Sequence, residues 1–300
     1  MIKIAYSDRF VLDLPEGHRF PMIKYELIKE QLLYQGIISE NQLYDPDLIG
    51  RSIVLDTHCA QYLDKLEQNL LSPKEIRKIG FPFTDRLIKR SFSSAAGTLH
   101  SAINALEYGC ALNIAGGTHH AYYDRGEAFC LLNDIAIASN YLLNQHLSKK
   151  ILVVDLDVHQ GNGTAQIFEH DNRVFTFSMH GKANYPLQKE TSDLDIELEV
   201  GTSGTAYLAL LKEVLPQLIK DQQPDFIFYQ AGVDVLNTDK LGTLALRTNE
   251  CLERDVFVFE QCLHFGIPVA VSMGGGYSPH VADIVNAHCN TFIAASDLYL

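Results

Sequence analysis

The stretch ILVVDLDVHQGNG, residues 151–163, constrains the fold of this 300-residue chain more than any other. It opens with four apolar residues, mostly β-branched, which predict a buried strand. Asp155, Asp157 and His159 then occupy alternate positions, so their side chains point to the same side of an extended chain. Burying such groups without partners costs several kcal/mol each, and coordination of a divalent cation offsets that cost. The pattern therefore predicts a metal site at the end of this strand. The alternative is that the acids cap a following helix, with Asn162 as its N-cap.

Strand-like and helix-like segments alternate over the second two-thirds of the chain. The apolar segments of β type are 110–115, 151–155, 174–178, 225–230 and 268–273. The stretches of helical length between them are about 132–147, 163–169, 204–219 and 249–265. This alternation predicts a parallel sheet with helices on both faces. No linker or repeat interrupts it, so residues 1–300 are predicted to form a single domain.

Several weaker patterns carry local predictions. Residues 52–55 predict a short strand, and Thr57 is a candidate cap for the helix that follows. Residues 93–98, SSAAGT, lie inside a long predicted helix, and their small side chains indicate close helix packing. Residues 181–203 contain few apolar positions, which predicts a long surface loop.

Composition excludes several classes of protein. The net charge of −13 argues against nucleic-acid binding through phosphate contacts. No apolar run approaches the ~18 residues that span a bilayer, and the first residues lack the apolar core of a signal peptide. The six cysteines have no paired spacing, which predicts reduced thiols. We therefore expect a cytoplasmic protein with no membrane span and no direct nucleic-acid partner. The sequence predicts no particular oligomeric state.

Polar side chains follow the other predicted strands as well. His119 and His120 follow the first of them, Asp234 follows the fourth, and three glycines and Tyr277 follow the last. Because ligand sites in parallel α/β folds lie beyond the carboxyl ends of the strands, these groups should meet at one edge of the sheet.

Asp234 is the candidate third metal ligand. With Asp157 and His159 it would supply two oxygens and one nitrogen and leave a coordination position open, which is typical of catalytic sites. Zinc suits this set best, and Fe(II) or Co(II) would also suit it. Asp234 could alternatively be a turn or capping residue.

His119 and His120 follow two glycines and are candidate proton-transfer groups. Imidazole titrates near neutral pH, so it can take a proton from water and return it to a leaving amine. Asp155 is placed to orient one of the two rings through its Nδ1–H group. The phenol of Tyr277 could donate to a developing oxyanion, although it could also be incidental in a glycine turn.

These residues lie in motifs that resemble the histone deacetylase superfamily. The matching segments are GGTHHA (116–121), EAFCLLND (127–134), DLDVHQGNG (155–163), FSMH (177–180), QAGVD (230–234) and GGGY (274–277). They occur in the family's order, and they are most similar to class IV deacetylases and their bacterial relatives. The resemblance implies the arginase–deacetylase α/β fold, with a central, mostly parallel sheet of about eight strands and helices on both faces.

The resemblance also implies roles at the reaction centre. The implied zinc ligands are Asp157, His159 and Asp234. The residues implied to act on the zinc-bound water and the substrate carbonyl are His119 with Asp155 behind it, His120 with Asn162 behind it, and Tyr277.

Substrate contacts and a second ion follow from the same resemblance. The implied substrate-binding residues are Gly117 through its carbonyl, Phe129 in a tunnel wall, and Gly275. The residues implied to hold a structural potassium ion, mostly through main-chain oxygens, are Asp155, Asp157, His159, Ser178 and Met179.

Two positions depart from the family pattern. Asn162 stands where class I members have an aspartate, and an amide stabilises an imidazolium less than a carboxylate does. Ala128 replaces the usual glycine before Phe129, which would reshape the tunnel wall.

Three functions are compatible with these observations. The first is a zinc-dependent amidohydrolase that removes acetyl or longer fatty-acyl groups from lysine side chains of a protein or peptide partner. The second is a small-molecule amidohydrolase, such as an acetylpolyamine deacetylase, but the large insertions that narrow the entrance of such enzymes are missing here. The third is a non-enzymatic acyl-lysine reader, which the presence of Tyr277 and the full ligand set argues against.

Overall fold

An all-parallel sheet of eight strands forms the centre of the computed structural model, which describes residues 2–299. The strands are β1 (Lys3–Ala5), β2 (Leu43–Tyr44), β3 (Cys110–Asn113), β4 (Ile151–Asp155), β5 (Val174–Gly181), β6 (Leu194–Leu198), β7 (Phe226–Gln230) and β8 (Val269–Ser272). Their spatial order is β2-β1-β3-β8-β7-β4-β5-β6, and every neighbouring pair is parallel. The expected eight-stranded parallel sheet is confirmed.

Helices flank this sheet in two groups. Within residues 2–299 they are α1 (Lys24–Tyr34), α2 (Arg51–Leu55), α3 (Ala60–Glu67), α4 (Pro73–Ile79), α5 (Asp85–Tyr108), α6 (Asp134–Asn144), α7 (Asn162–Phe168), α8 (Gly204–Gln222), α9 (Thr248–Phe265) and α10 (Val281–Leu298). Helix α5 packs on β1, β3 and β8 and against α6. Helices α1, α10, α9 and α8 pack in that order, each against the next.

The small residues of α5 let it approach the sheet closely. A Cβ atom on Gly97 would clash with the side chain of Asn113 in β3, and Ala95 and Ala96 are fully buried. The helix begins where Thr84 Oγ1 accepts a hydrogen bond from the N–H of Leu87. The predicted tight packing is thus present, and it involves the sheet as well as the neighbouring helix.

Three local predictions were wrong. Residues 52–55 belong to α2, because a four-residue apolar run does not distinguish a strand from a buried helix. Cys59, and not Thr57, is the N-cap of α3. The segment 181–203 contains β6, whose apolar residues alternate with acidic ones at the sheet edge, so its few apolar positions hid a half-buried strand.

The four central strands end at the same level. Asp155, the last residue of β4, pairs with Gln230 of β7, Gln230 pairs with Ser272 of β8, and Ser272 pairs with Asn113 of β3. The loops that leave these strands therefore emerge side by side, and they carry the polar groups singled out in the sequence.

Two expectations from composition concern the apolarity of the helices and the state of the cysteines. Among residues 2–299, no helix has both the length and the apolarity needed to cross a bilayer. All six cysteines are free, five of them buried and Cys59 partly exposed. This arrangement agrees with the prediction of reduced thiols.

Candidate active site

Asp157, His159 and Asp234 meet beyond the ends of β4 and β7. Nδ1 of His159 is 3.1 Å from Oδ1 of Asp157 and 3.0 Å from Oδ2 of Asp234. One ligand atom from each residue lies within 4.8 Å of the other two, and all three residues are buried. The fold therefore brings the predicted ligand set together from two separate loops.

The charges in this cluster fit a divalent cation. Burial, together with the charge of Asp157, raises the pKa of Asp234 to about 7. Burial lowers the pKa of His159, but Asp157 and Asp234 outweigh it and raise that pKa to about 10. Two carboxylates held this close repel each other, and a cation between them removes that repulsion. Two oxygens and one imidazole nitrogen suit Zn²⁺, and also Fe²⁺ or Co²⁺.

Glycines allow the cluster to pack tightly. A Cβ atom on Gly232 would clash with Oδ2 of Asp157, and one on Gly275 would clash with Oδ2 of Asp234. The N–H of Gly275 donates to Oδ2 of Asp157 over 2.7 Å. Gly275, predicted to bind substrate, therefore also fixes the position of a candidate ligand.

The tandem histidines lie in a turn, and both line the same cavity as Asp157 and His159. Their ring centroids are 4.1 Å apart. Nδ1 of His119 lies 2.7 Å from Oδ2 of Asp155. Burial lowers the pKa of His119, but the charges of Asp155 and Asp157 and the hydrogen bond to Asp155 together outweigh burial and raise the pKa. Asp155 is thus placed to orient His119, as expected.

His120 has a different environment. Its Nδ1 lies 2.6 Å from Oδ1 of Asn162, and its Nε2 makes no hydrogen bond to any residue of 2–299. Burial, followed by the nearby charge of His119, lowers the pKa of His120 well below its usual value. A neutral ring with a free Nε2 lone pair suits a proton acceptor.

Tyr277 lies on the same cavity. Its ring centroid is 6.2 Å from that of His159 and 6.1 Å from that of Phe129. Its backbone N–H donates to Oδ2 of Asp239 over 2.6 Å, which anchors the turn after the glycines. Burial and the charges of Asp234 and Asp157 raise the pKa of the phenol well above its usual value. The hydroxyl therefore keeps its proton and can donate it in a hydrogen bond.

The cavity has an inner part and a wider mouth. His120, Ala128, Phe129, His159 and Tyr277 line both parts, so they surround the passage between them. Ala128 and Phe129 have φ values of 43° and 69°, in the left-handed region. Their N–H groups donate to backbone carbonyls of α4 and so hold this strained turn in place.

Sequence reasoning missed three residues that line the inner part. Phe20, Tyr25 and Arg90 line it. Arg90 is buried, and it donates from Nη2 to the hydroxyl of Tyr25 over 3.0 Å. No carboxylate of residues 2–299 pairs with it. No signal in the sequence pointed to it, because Arg90 follows Arg86 and Lys89 in the same helix and nothing local sets it apart.

Lys24 lies close to this inner part. It is fully buried, and its Nζ donates to the carbonyl of Gly274 over 3.2 Å. Burial lowers its pKa to about 8. Like Arg90, it was not apparent as a site residue because helix α1 otherwise follows an ordinary amphipathic pattern.

The remaining predicted residues lie beside this centre. Gly117 lines the inner cavity, and its carbonyl accepts from Nε2 of Gln230 over 3.0 Å. Ser178 pairs with Asp155 in the sheet register, and Met179 is fully buried next to it. The residues predicted to hold potassium therefore lie along the adjoining ends of β4 and β5.

Comparisons with known proteins agree with this geometry. The family model described as a histone deacetylase domain matches residues 18–292. An uncharacterized protein of Picosynechococcus sp. is 43% identical over 296 residues, which cover 99% of each chain. Histone deacetylase 2 of Arabidopsis thaliana is 28% identical and covers 95% of this chain and 76% of the relative. The acetoin utilization protein AcuC of Staphylococcus aureus is 26% identical over 91% of this chain and 76% of its own length.

Solved structures share the fold. An HDAC homolog complexed with SAHA matches with a TM-score of 0.84 and 24% identity, over 99% of this chain and 84% of the other. The HDA15 HD domain matches with a TM-score of 0.80 and 19% identity, over 96% and 89%. These likenesses confirm the arginase–deacetylase fold. Since the family model spans nearly the whole chain, the protein belongs to the histone deacetylase family of hydrolases.

Proposed function

We propose that this protein is a zinc-dependent amidohydrolase that removes acyl groups from the ε-amine of lysine in proteins. One observation carries the proposal. Two of the candidate metal ligands, Asp157 and His159, line a single cavity with the tandem histidines and Tyr277, and a wider mouth leads to it. The third candidate ligand, Asp234, lies buried directly behind them. Hydrolysis of an amide needs a polarised carbonyl, a proton acceptor and a proton donor, and this cavity holds a side chain for each role.

Asp157, His159 and Asp234 are the residues that would hold the metal. When bound, a divalent cation of this type polarises a carbonyl oxygen and acidifies water. Zinc is the preferred ion, and Fe²⁺ or Co²⁺ would be accepted by the same donor set.

The side chains around the metal ligands divide the proton transfers. His120 is neutral with a free Nε2, so it accepts a proton from the attacking water. Asp155 and Asp157 raise the pKa of His119 against the effect of burial, so His119 is the ring better suited to give a proton to the departing amine. Tyr277 keeps its phenolic proton and donates a hydrogen bond to the carbonyl oxygen as negative charge develops there.

The charges at the mouth favour a protein or peptide substrate over a polyamine. Arg19, Arg77 and Lys78 line the mouth and are exposed, and none of the acidic residues within 2–299 lines it. Lys78 donates to Oε1 of Glu127 over 3.0 Å, which leaves Arg19 and Arg77 as the main source of positive charge. This is a local excess of positive charge on a chain with a net charge of −13. It would repel a polycationic acetylpolyamine and attract an acyl-lysine that has acidic neighbours.

The inner cavity favours a short acyl group. The class IV resemblance admits long fatty-acyl groups as substrates. A long apolar chain that entered here would lie against the guanidinium of Arg90 and the hydroxyl of Tyr25, so it would face a charged and a polar group in place of apolar side chains. We therefore propose acetyl-lysine as the better substrate.

Two further assignments complete the proposal. Asp155, Asp157, His159, Ser178 and Met179 would hold a structural potassium ion near the ends of β4 and β5, mostly through main-chain oxygens. Free thiols at all six cysteines support a reducing, cytoplasmic setting.

The test is a deacylation assay across acyl groups, with metal analysis of the same sample. Peptides that carry acetyl- or myristoyl-lysine between acidic or basic residues are compared with acetylspermidine. The acetyl peptide with acidic flanks should be hydrolysed fastest, and a chelator should abolish hydrolysis. Faster turnover of myristoyl-lysine would refute the acyl-length argument, and faster turnover of acetylspermidine would favour the small-molecule alternative. Binding of acyl-lysine without any hydrolysis by metal-loaded protein would contradict the enzymatic assignment.

A further inference from the structure

A chain of hydrogen bonds leads from His120 away from the cavity to Glu190. Nδ1 of His120 lies 2.6 Å from Oδ1 of Asn162. Nδ2 of Asn162 donates to the hydroxyl of Tyr122 over 2.9 Å. That hydroxyl donates to Oε1 of Glu190 over 3.0 Å. Neither Tyr122 nor Glu190 has a role in the reaction proposed above.

The carboxylate of Glu190 at the outer end fixes the direction of these hydrogen bonds. A carboxylate accepts hydrogen bonds and cannot donate one, so Tyr122 must direct its single O–H toward Glu190. The oxygen of Tyr122 is then an acceptor, and only the NH₂ group of Asn162 can fill that role. The carbonyl oxygen of Asn162 therefore faces His120, and it requires a proton on Nδ1 of the imidazole.

We infer that Glu190 is a positioning residue that acts through Tyr122 and Asn162 to hold His120 with Nδ1 protonated and Nε2 free. This inference deepens the proposed hydrolase function, on which its catalytic meaning rests. Nε2 is the atom that lacks a partner among residues 2–299, and it belongs to a ring that lines the cavity. His120 has no carboxylate directly beside its Nδ1. Glu190 takes that role through the side chains of Asn162 and Tyr122.

The elements around the chain hold it rigidly. Gln160 fixes the backbone of Glu190 by two hydrogen bonds, from its Nε2 to the carbonyl over 2.7 Å and from the Glu190 N–H to its Oε1 over 2.9 Å. The guanidinium of Arg125 lies 3.6 Å from the ring centroid of Tyr122. Asn162 and Tyr122 are buried, so water does not compete for the two inner hydrogen bonds, whereas Glu190 at the outer end is partly exposed.

With a glutamine at position 190, the donor and acceptor roles in these hydrogen bonds would no longer be fixed. Its amide can donate to Tyr122, which frees the phenolic proton to point at Asn162. The amide of Asn162 could then turn over and donate to Nδ1, which would place the imidazole proton on Nε2, where it blocks proton acceptance. Glu190→Gln should therefore lower kcat about tenfold with KM nearly unchanged, a part of the roughly 10²–10⁴-fold that a general base contributes. Tyr122→Phe, which breaks the same chain, should have a similar effect.

A double-mutant cycle separates positioning from a structural effect. In Asn162→Asp, the new carboxylate alone requires a proton on Nδ1 of His120. In that background Glu190→Gln should therefore lower kcat by less than about twofold. If Glu190 only stabilised the fold, its replacement would cost the same in both backgrounds. Matched controls are Tyr123→Phe, at an adjacent tyrosine whose side chain is half exposed, and Glu213→Gln on the surface of α8.

A readout that is independent of turnover completes the test. In zinc-loaded protein with ¹⁵N-labelled histidine, His120 should show a protonated Nδ1 and an unprotonated Nε2, and Glu190→Gln should populate the opposite tautomer. The His120 signals are assigned from their loss in His120→Gln. A wild-type ring protonated on Nε2, or a tautomer that does not respond to Glu190→Gln, would overturn the inference. Because this measurement needs no substrate, its outcome stands apart from any failure of the proposed hydrolase function.

Discussion

Oδ2 of Asp155 lies 2.7 Å from Nδ1 of His119, at the level where β4 ends and the ligand loop begins. The other oxygen of the same carboxylate accepts from the N–H of Asp157 over 3.1 Å. One buried carboxylate therefore orients a proton-transfer group and also fixes the backbone of a candidate metal ligand. The two tandem histidines differ in this respect, because His120 reaches a carboxylate only through Asn162 and Tyr122.

Replacing Asp155 by Asn should lower kcat by about 10²-fold, because the amide keeps a hydrogen-bond acceptor but loses the charge that keeps His119 protonated. Steady-state kinetics with acetyl-lysine peptide measure the effect, and a thermal melt confirms that the variant is folded. Asp47→Asn, at an exposed carboxylate, is the control. Wild-type kcat in a folded Asp155→Asn variant would show that His119 does not need this partner.

Asp157→Ala should abolish metal binding and activity together, because two ligands that remain hold a divalent ion weakly. Metal content per chain and turnover are measured on the same preparation. Asp124→Asn, at an exposed acid outside the cluster, should retain both. Full metal occupancy in Asp157→Ala would place the ion elsewhere.

Tyr277→Phe should lower kcat by roughly 10²–10³-fold, the usual cost of losing one donor to a developing oxyanion. Metal content and stability should not change, because the ring still fills its place next to Phe129. The matched control is Tyr34→Phe, at a tyrosine that is 93% exposed. A variant as fast as the wild type would remove the proposed role of the hydroxyl.

The stability of the fold should depend on pH through Lys24. Burial lowers the pKa of this residue from 10.5 to about 8. Between these values the unfolded chain binds the proton and the folded chain releases it, so folded-state stability should rise with pH in this window. The gain is at most about 3 kcal/mol.

Urea titrations at several pH values from 8 to 9.5 test this prediction. The rise of the free energy of unfolding with pH should be absent in Lys24→Met. Lys220→Met, at an exposed lysine, should retain it. Equal pH dependence in wild type and Lys24→Met would contradict the argument.

Ala128→Gly should stabilise the protein by up to about 1 kcal/mol, because glycine adopts a positive φ without the steric cost that alanine pays at 43°. Denaturant titration measures the difference. Ala183→Gly, in the mouth but without a positive φ, should not be stabilising. A destabilised Ala128→Gly would mean that the methyl group makes packing contacts worth more than the strain.

Much of the fold could be predicted because its strongest patterns are local. The alternation of buried strands with helices indicated the parallel sheet. The apolar run before Asp155 located the strand correctly, but β4 ends at Asp155, so the loop after the strand and not a strand period brings Asp157 and His159 together. The errors fell where local patterns carry little information. Residues 52–55 form too short a run to show a period, and β6 is an edge strand of five residues in which apolar and acidic side chains alternate.

The sequence by itself determined which side chains could serve a hydrolytic metal site and on which loops they lie, because motif residues are close together along the chain. Only the tertiary structure decided what surrounds them. Arg90, Lys24 and Glu190 come from elements far from the motifs, and their roles depend on which atoms face each other across the packed interior. A charged group that is buried without a carboxylate beside it, or a hydrogen bond whose direction is fixed, exists only when those elements pack together.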